Sequence, residues 1–384
     1  MRVNKLNESP RTSREGEAVS STAKITKVPP AKLARVVEWI RHYLYRLHQR
    51  LTPAPAAMME MIIAAWTSQA ITVAAQLGVA DALSNGPLPI DELAARVGAD
   101  ADALRRLLRA LVSKGIFVHR HDGRYGLNSL ARTLRSDAPI SMTWAAQFYG
   151  SAEQRERWTL MVDSIRTGRT VVPALRGKES FDYFAGEPGL AELFNQTMTS
   201  VSELTDGPVV AGYDFSAYPT LVDVGGGHGP LLAAILAGAP ASRGVLYDLP
   251  GVVAGAPSLL REHKVADRVR IAEGSFFDSV PSGGDAYILK NIVHDWPDDK
   301  AVQILRNVRE AAGPGATVLL VELVIPKHNR DFPGKWVDLE MLLNLGARER
   351  TAAEYRDLLS QAGFQVTRVV QTASPLSVVE ARAA

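Results

Sequence analysis

The segment Leu221–Gly229, LVDVGGGHG, runs from an apolar, strand-like stretch straight into glycines where a helix must begin. Gly225, Gly227 and Gly229 are spaced G-x-G-x-G rather than the G-x-G-x-x-G of dinucleotide folds. They could cradle a nucleotide-like ligand or form only a tight turn. A second apolar strand, Gly244–Tyr247, ends in Asp248, 25 residues beyond Asp223. An acid at that strand tip is placed to accept hydrogen bonds from ribose hydroxyls, so loop and acid together predict a ribose-bearing ligand.

The elements that must hold these residues alternate. Strands at Arg268–Glu273 and Ala286–Leu289 are interleaved with helical segments at Leu231–Leu236, Val252–His263 and Asp298–Ala312, the pattern of a parallel α/β sheet. Upstream, Ile90–Gly98 and Asp102–Lys114 read as two amphipathic helices, followed by a hairpin that turns at His121-Asp122-Gly123: a winged helix-turn-helix. Its second helix spends its leucines on a core stripe and lacks a broader basic surface, so nucleic acid is not an expected partner. His119 and His121 read as solvent-facing, since two imidazoles leave a zinc site short of ligands.

Composition is that of a globular chain of two or three domains: 384 residues, 46% hydrophobic and 22% charged. The absence of cysteine excludes disulfides, thiolate metal sites and cysteine nucleophiles and fits a reducing cytosol, the expected location. Net charge is +2, but residues 1–52 carry +7 and the remainder −5. Residues 1–30 are polar and lack an apolar h-region, so they read as a disordered arm. Ala31–Leu51 is a basic amphipathic helix that could lie on an anionic membrane; packing on the protein's own body or a partner subunit is the preferred reading. Met58–Leu77 is apolar but interrupted by Glu60, Ser68, Gln69 and Gln76, which predicts a buried core or dimer helix rather than a membrane span.

The order of glycine loop, strand-end acid, GSFFD (Gly274–Asp278) and LKNIVHDWPDD (from Leu289) resembles the S-adenosylmethionine-dependent O-methyltransferases of the plant caffeate and bacterial polyketide type. The likeness runs from about Ala56 to the C-terminus. It implies a winged-helix dimerisation domain over 56–160, after the arm and a helix-and-linker segment over 31–55. A Rossmann-like class I methyltransferase domain would follow over 161–384, in a homodimer. It also implies S-adenosylmethionine as cofactor, held by Asp223, Gly225, Gly227, Asp248, Ser275, Phe276 and Lys290. His294 corresponds to the catalytic base, with Glu322 and Glu349 as the acids flanking it and Asp295 as a further orienting candidate. The acceptor, a small or polycyclic aromatic metabolite, would lie among Trp144, Phe148, Tyr149, Phe194, Asn195, Met198, Met341 and Asn344. His228 stands where the family usually has a small or polar residue.

These residue types suit the reaction. A sulfonium supplies an activated methyl, so the protein must align the acceptor oxygen and take its proton, and a histidine does the latter near neutral pH without a metal. His294 and Glu322 each follow a buried strand at the edge where open α/β sheets bind ligands. Each also has a plainer reading: His294 could start a helix capped within Asp295-Trp296-Pro297-Asp298, and Glu349 could sit in a charged loop ahead of a Thr351 cap. N-methylation or another cofactor-dependent modification of a polyketide is the enzymatic alternative. A cofactor-sensing DNA-binding regulator is the other.

Overall fold

The computed structural model describes residues 28–384, so the expected disordered arm falls almost wholly outside the described residues. In the front region Asp100 caps the helix Ala101–Ser113 by accepting the Ala103 amide at 2.8 Å. Leu104, Leu108 and Leu111 line one face of that helix and are enclosed with Leu93 of the helix Ile90–Val97. A two-stranded ribbon, β1 (Val118–His119) and β2 (Tyr125–Gly126), forms the wing, and His119 stacks on the Tyr125 ring.

Met58–Leu77 is not one buried helix. It breaks at Ile63 into Ala54–Ile62 and Ala64–Gln76. The first half buries no side chain, while Thr72, Ala74 and Ala75 of the second pack inward, Thr72 donating to the Ala146 carbonyl of the helix Thr143–Tyr149. Ala54–Gln76 is long and apolar enough to cross a membrane by length and composition. The preceding helix, Ala31–Arg50, also buries nothing, and Leu33, Val36, Ile40, Leu44 and Leu47 face outward. Ala64–Gln76 thus takes the expected core place, whereas among the described residues nothing apolar buries Ala31–Arg50 or Ala54–Ile62, for which a partner subunit was the other expected cover.

The C-terminal half is built on a seven-stranded sheet: β3 (Thr220–Val224), β4 (Arg243–Asp248), β5 (Val269–Glu273), β6 (Ala286–Lys290), β7 (Thr317–Glu322), β8 (Phe364–Gln371) and β9 (Ser377–Ala383). Its spatial order is β5-β4-β3-β6-β7-β9-β8. β3 to β7 are parallel, and all but the edge strand β5 are largely apolar on both faces. Tyr287, Leu289, Val318 and Leu320 enter one core with the helices Asp298–Ala311 and Ala352–Gln361, and Ile288, Leu319 and Val321 enter the other with Pro230–Gly238. The sheet is not wholly parallel as expected: β9 runs antiparallel to β7 and β8. A connection of five residues between β8 and β9 is too short for a crossover, which leaves antiparallel pairing as the available geometry.

Strand order reverses between β3 and β6, each of which pairs with a different outer neighbour. In such sheets the crevice at the carboxyl ends beside the reversal is where ligands bind. The glycine loop leaves the tip of β3, and the His294 segment leaves the tip of β6. The long helix Pro188–Gly212 supplies Val209 to the core with Pro230–Gly238.

Candidate active site

The glycine loop has the geometry of a cradle. Gly225, Gly227 and Gly229 adopt φ of 70°, 62° and 86°, a region that L side chains rarely enter. A Cβ on Gly225 would lie 2.5 Å from Ile292 Cδ1, whereas one on Gly227 would meet nothing within 4 Å, so the loop is tight at its root and open at its crest. Asp248 holds it in place: Oδ2 accepts the Gly227 amide at 2.9 Å and Oδ1 the Leu249 amide at 2.7 Å. Asp223 is buried with Oδ2 unpartnered. Burial pushes its pKa up to about 7 against the pull of Lys290, with Asp206 and Asp248 adding to the rise. An open crest, a strand-end acid and an orphaned carboxylate oxygen fit a cationic, ribose-bearing cofactor.

Phe276 joins this edge, its ring 3.5 Å from the Gly225 Cβ position, and Ser275 turns its hydroxyl to accept the Phe277 amide at 3.2 Å. Lys290 is already engaged. It donates to Asp206 and, at 3.0 Å, to Ser202, one turn apart on the helix Pro188–Gly212. Sequence reasoning missed Asp206; its i, i+4 spacing from Ser202 carried no motif. Asp248→Ala is expected to weaken cofactor binding tenfold or more, since it removes the Gly227 anchor together with the carboxylate expected to accept from the ribose, each about 1–2 kcal/mol. An unchanged calorimetric dissociation constant would contradict that assignment.

Beyond β6 the chain makes a 3₁₀ turn, Val293–Asp295, that buries His294. Nδ1 lies 2.6 Å from Glu349 Oε1 and Nε2 lies 3.3 Å from Asp295 Oδ1. Glu322, at the tip of β7, does not bond the ring. Its Oε1 accepts the Val293 amide at 3.0 Å and the Ile292 amide at 3.3 Å, so it fixes the backbone that carries the histidine. Glu349 therefore orients the imidazole, and Glu322 orients the turn. Thr351 does cap the helix Ala352–Gln361, in a capping box with Glu354, but that cap coexists with the buried Glu349 contact rather than explaining it.

Burial lowers the pKa of His294, but Asp295, Glu322 and Glu349 outweigh it and raise the value to about 10. Burial carries Glu322 up to about 8 and Asp295 up to about 6, each against the pull of His294. An imidazole near 10 matches a phenol, whose proton leaves at about the same pH.

Arg350, 1% exposed, staples this turn from the far side. Its guanidinium donates to the carbonyls of Val293 and Trp296, both at 3.0 Å, and to Asp298 Oδ1 at 2.6 Å. The predicted helix start within Asp295–Asp298 thus has no side-chain cap; Asp298 instead opens the helix as the partner of Arg350.

On the acceptor side, the structure gathers Phe148 and Phe194 with ring centroids 5.5 Å apart and adds Phe184, stacked on Phe194 at 5.2 Å. Trp144, Met198 and Met341 are half-buried and Asn344 is buried, while Tyr149 and Asn195 are exposed. Asn344 accepts from Arg157 Nη1 at 2.7 Å. That Phe184 and Arg157 would join this group was not legible in the sequence, because each lies on a short helix whose face only the tertiary fold defines.

Comparison with known proteins gives a consistent picture. A family model for an O-methyltransferase domain matches residues 158–365, and one for an O-methyltransferase dimerisation domain matches 59–137. The chain is 42% identical to the phenazine O-methyltransferase PhzM of Lysobacter antibioticus, over 86% of this chain and 96% of that one. It is 32% identical to the phenazine-1-carboxylate N-methyltransferase of Pseudomonas aeruginosa, over 82% and 92%. Among solved structures, an O-methyltransferase from neocarzinostatin biosynthesis, in complex with S-adenosylmethionine and 2-hydroxy-5-methyl naphthoic acid, superposes with a TM-score of 0.71 at 36% identity, covering 83% of this chain and 96% of that one.

Proposed function

We propose an acceptor and a division of roles for this site from the premise that the chain belongs to the S-adenosylmethionine-dependent O-methyltransferase family. It is an O-methyltransferase, and S-adenosylmethionine is its methyl donor. The acceptor in our reading is a phenolic hydroxyl on a small or polycyclic aromatic metabolite. The observation that carries this is the His294–Glu349 pair, 2.6 Å apart, on the crevice that the glycine loop also borders.

When bound, the cofactor supplies an electrophilic methyl on a positively charged sulfur that leaves as a neutral thioether. The residues of the chain do the rest. Asp248 would hold the ribose, with Phe276 and Ser275 beside the adenine and Gly225, Gly227, Lys290 and Asp223 bordering the methionine portion. In the neutral ring, whose share grows as pH rises toward 10, Glu349 accepts the Nδ1 proton of His294, which leaves the Nε2 lone pair free to take the proton of the acceptor as its oxygen bonds to the methyl carbon. Asp295 faces Nε2 and stabilises the imidazolium that results. The aromatic wall of Phe148, Phe184 and Phe194 excludes water and holds a flat acceptor in line.

Relatives include an N-methylating enzyme. A base matched to a phenol favours oxygen here, because a neutral amine attacks before it must lose a proton. Ligand atoms of His294, Glu322 and Glu349 lie within 4.8 Å of one another, a set a divalent ion could use. Nδ1 is spent on Glu349, however, and methyl transfer from a sulfonium needs no Lewis acid. The test is incubation with S-adenosylmethionine, chelator and paired phenols and anilines, read by mass spectrometry. Expected is a gain of one methylene on the phenols, undiminished by chelator; products from anilines alone, or activity that chelation abolishes and metal restores, would contradict the reading.

The dimerisation-domain match and the uncovered apolar faces of Ala31–Arg50 and Ala54–Ile62 support a homodimer. Sedimentation should give twice the chain mass of 41.6 kDa; a monomer at micromolar concentration would count against it.

A further inference from the structure

Arg157 is a buried cation with more than half of its N–H donors unused. It sits on the helix Ala152–Thr159 and is 1% exposed. Nη1 donates to Asn344, but Nε and Nη2 are buried and without a partner. Those two nitrogens form one edge of the guanidinium, the side-on fork whose parallel N–H bonds match the two oxygens of a carboxylate. Leaving such donors dry is costly, and native interiors rarely do so without a reason.

The surroundings are suited to an anion and to a ring. The guanidinium carbon lies 5.3 Å above Phe184, which stacks on Phe194, and Phe194 in turn meets Phe148. Arg176, across Tyr183, is already paired with Glu156 and cannot serve the same ligand. Glu340 is the nearby acid, yet it takes the Trp158 indole N–H at 2.7 Å and makes no ion pair with Arg157.

We propose that the Nε–Nη2 edge of Arg157 is an anion subsite for the acceptor, which carries a carboxylate on its aromatic ring. This rests on the aromatic-acceptor reading above and narrows it to hydroxylated aromatic acids. Asn344 then acts as the positioning residue that turns the fork, and the phenylalanine wall holds the ring between the fork and His294.

The test uses the full-length protein loaded with S-adenosylhomocysteine, titrated by calorimetry with a hydroxynaphthoate and with the naphthol that lacks only its carboxylate. Wild type should bind the acid at least tenfold tighter, and Arg157→Gln should bring that ratio close to one. Arg157→Lys keeps the charge without the fork and should retain a ratio of only a few-fold; it is the variant to read if Arg157→Gln lacks a cooperative thermal melt. A ratio unchanged in the variants would overturn the proposal. So would an equal loss for both probes, which would make Arg157 a counter-ion to Glu340. Loaded protein that binds neither probe would count against the aromatic-acceptor reading itself and take the subsite with it.

Discussion

His294→Ala should lower kcat by about a hundredfold or more, the scale of a positioned general base, and leave the S-adenosylmethionine dissociation constant in place. The imidazole contacts Glu349 and Asp295 and makes no contact with the glycine loop, so its loss should fall on the chemical step. The pH profile carries the same argument with a sign. Because the surrounding acids raise its pKa to about 10, His294 holds its proton through neutrality, and kcat/KM should climb as pH rises toward that value. Asp295→Asn removes one of the charges responsible, so the ascending limb should move to lower pH. The same shift stabilises the fold below the ordinary imidazole pKa of about 6.5, and that contribution is lost as pH rises through 10. Near-normal turnover of His294→Ala, or an unmoved limb in Asp295→Asn, would refute the assignment.

Arg350→Ala should be the most damaging change that touches no reactant. It removes a donor from the buried Val293 carbonyl and from the half-buried Trp296 carbonyl, at about 1–3 kcal/mol of stability by the cost of unmade hydrogen bonds. Little of this comes from Asp298, which is largely solvated. With the turn loosened, His294 loses its fixed approach, and a displacement of about 1 Å can cost on the order of a hundredfold in rate. We expect kcat to fall at least tenfold while cofactor affinity survives. A variant that melts as wild type does and turns over normally would show that Glu322 alone holds the turn.

What the sequence disclosed and what it hid divide along chain distance. Gly225, Asp248 and His294 were legible because each lies at the end of a strand whose apolar run is visible locally, and the edge of such a sheet is a place for ligands. The partition between Glu322 and Glu349 was not, since it depends on which carboxylate reaches a ring and which reaches two amides across about 30 residues of chain. Arg350 was invisible for the same reason: GARERT reads as a charged loop until Val293 arrives beside it. The antiparallel β8–β9 pair and the break at Ile63 were also missed. The break at Ile63 carries no proline or glycine signal, and Pro375 marks a turn between β8 and β9 without fixing the direction in which the next strand pairs.

The uncovered apolar helices at the front of the chain bear on how the enzyme would behave when scarce. If a second copy covers Leu33, Ile40, Leu44, Met58 and Met61, that cover is lost by mass action on dilution, and with it the packing that steadies the first helices. The melting temperature would then depend on how much of the protein is present. A cell making only a little of it would hold a less durable catalyst, not merely fewer molecules of the same one.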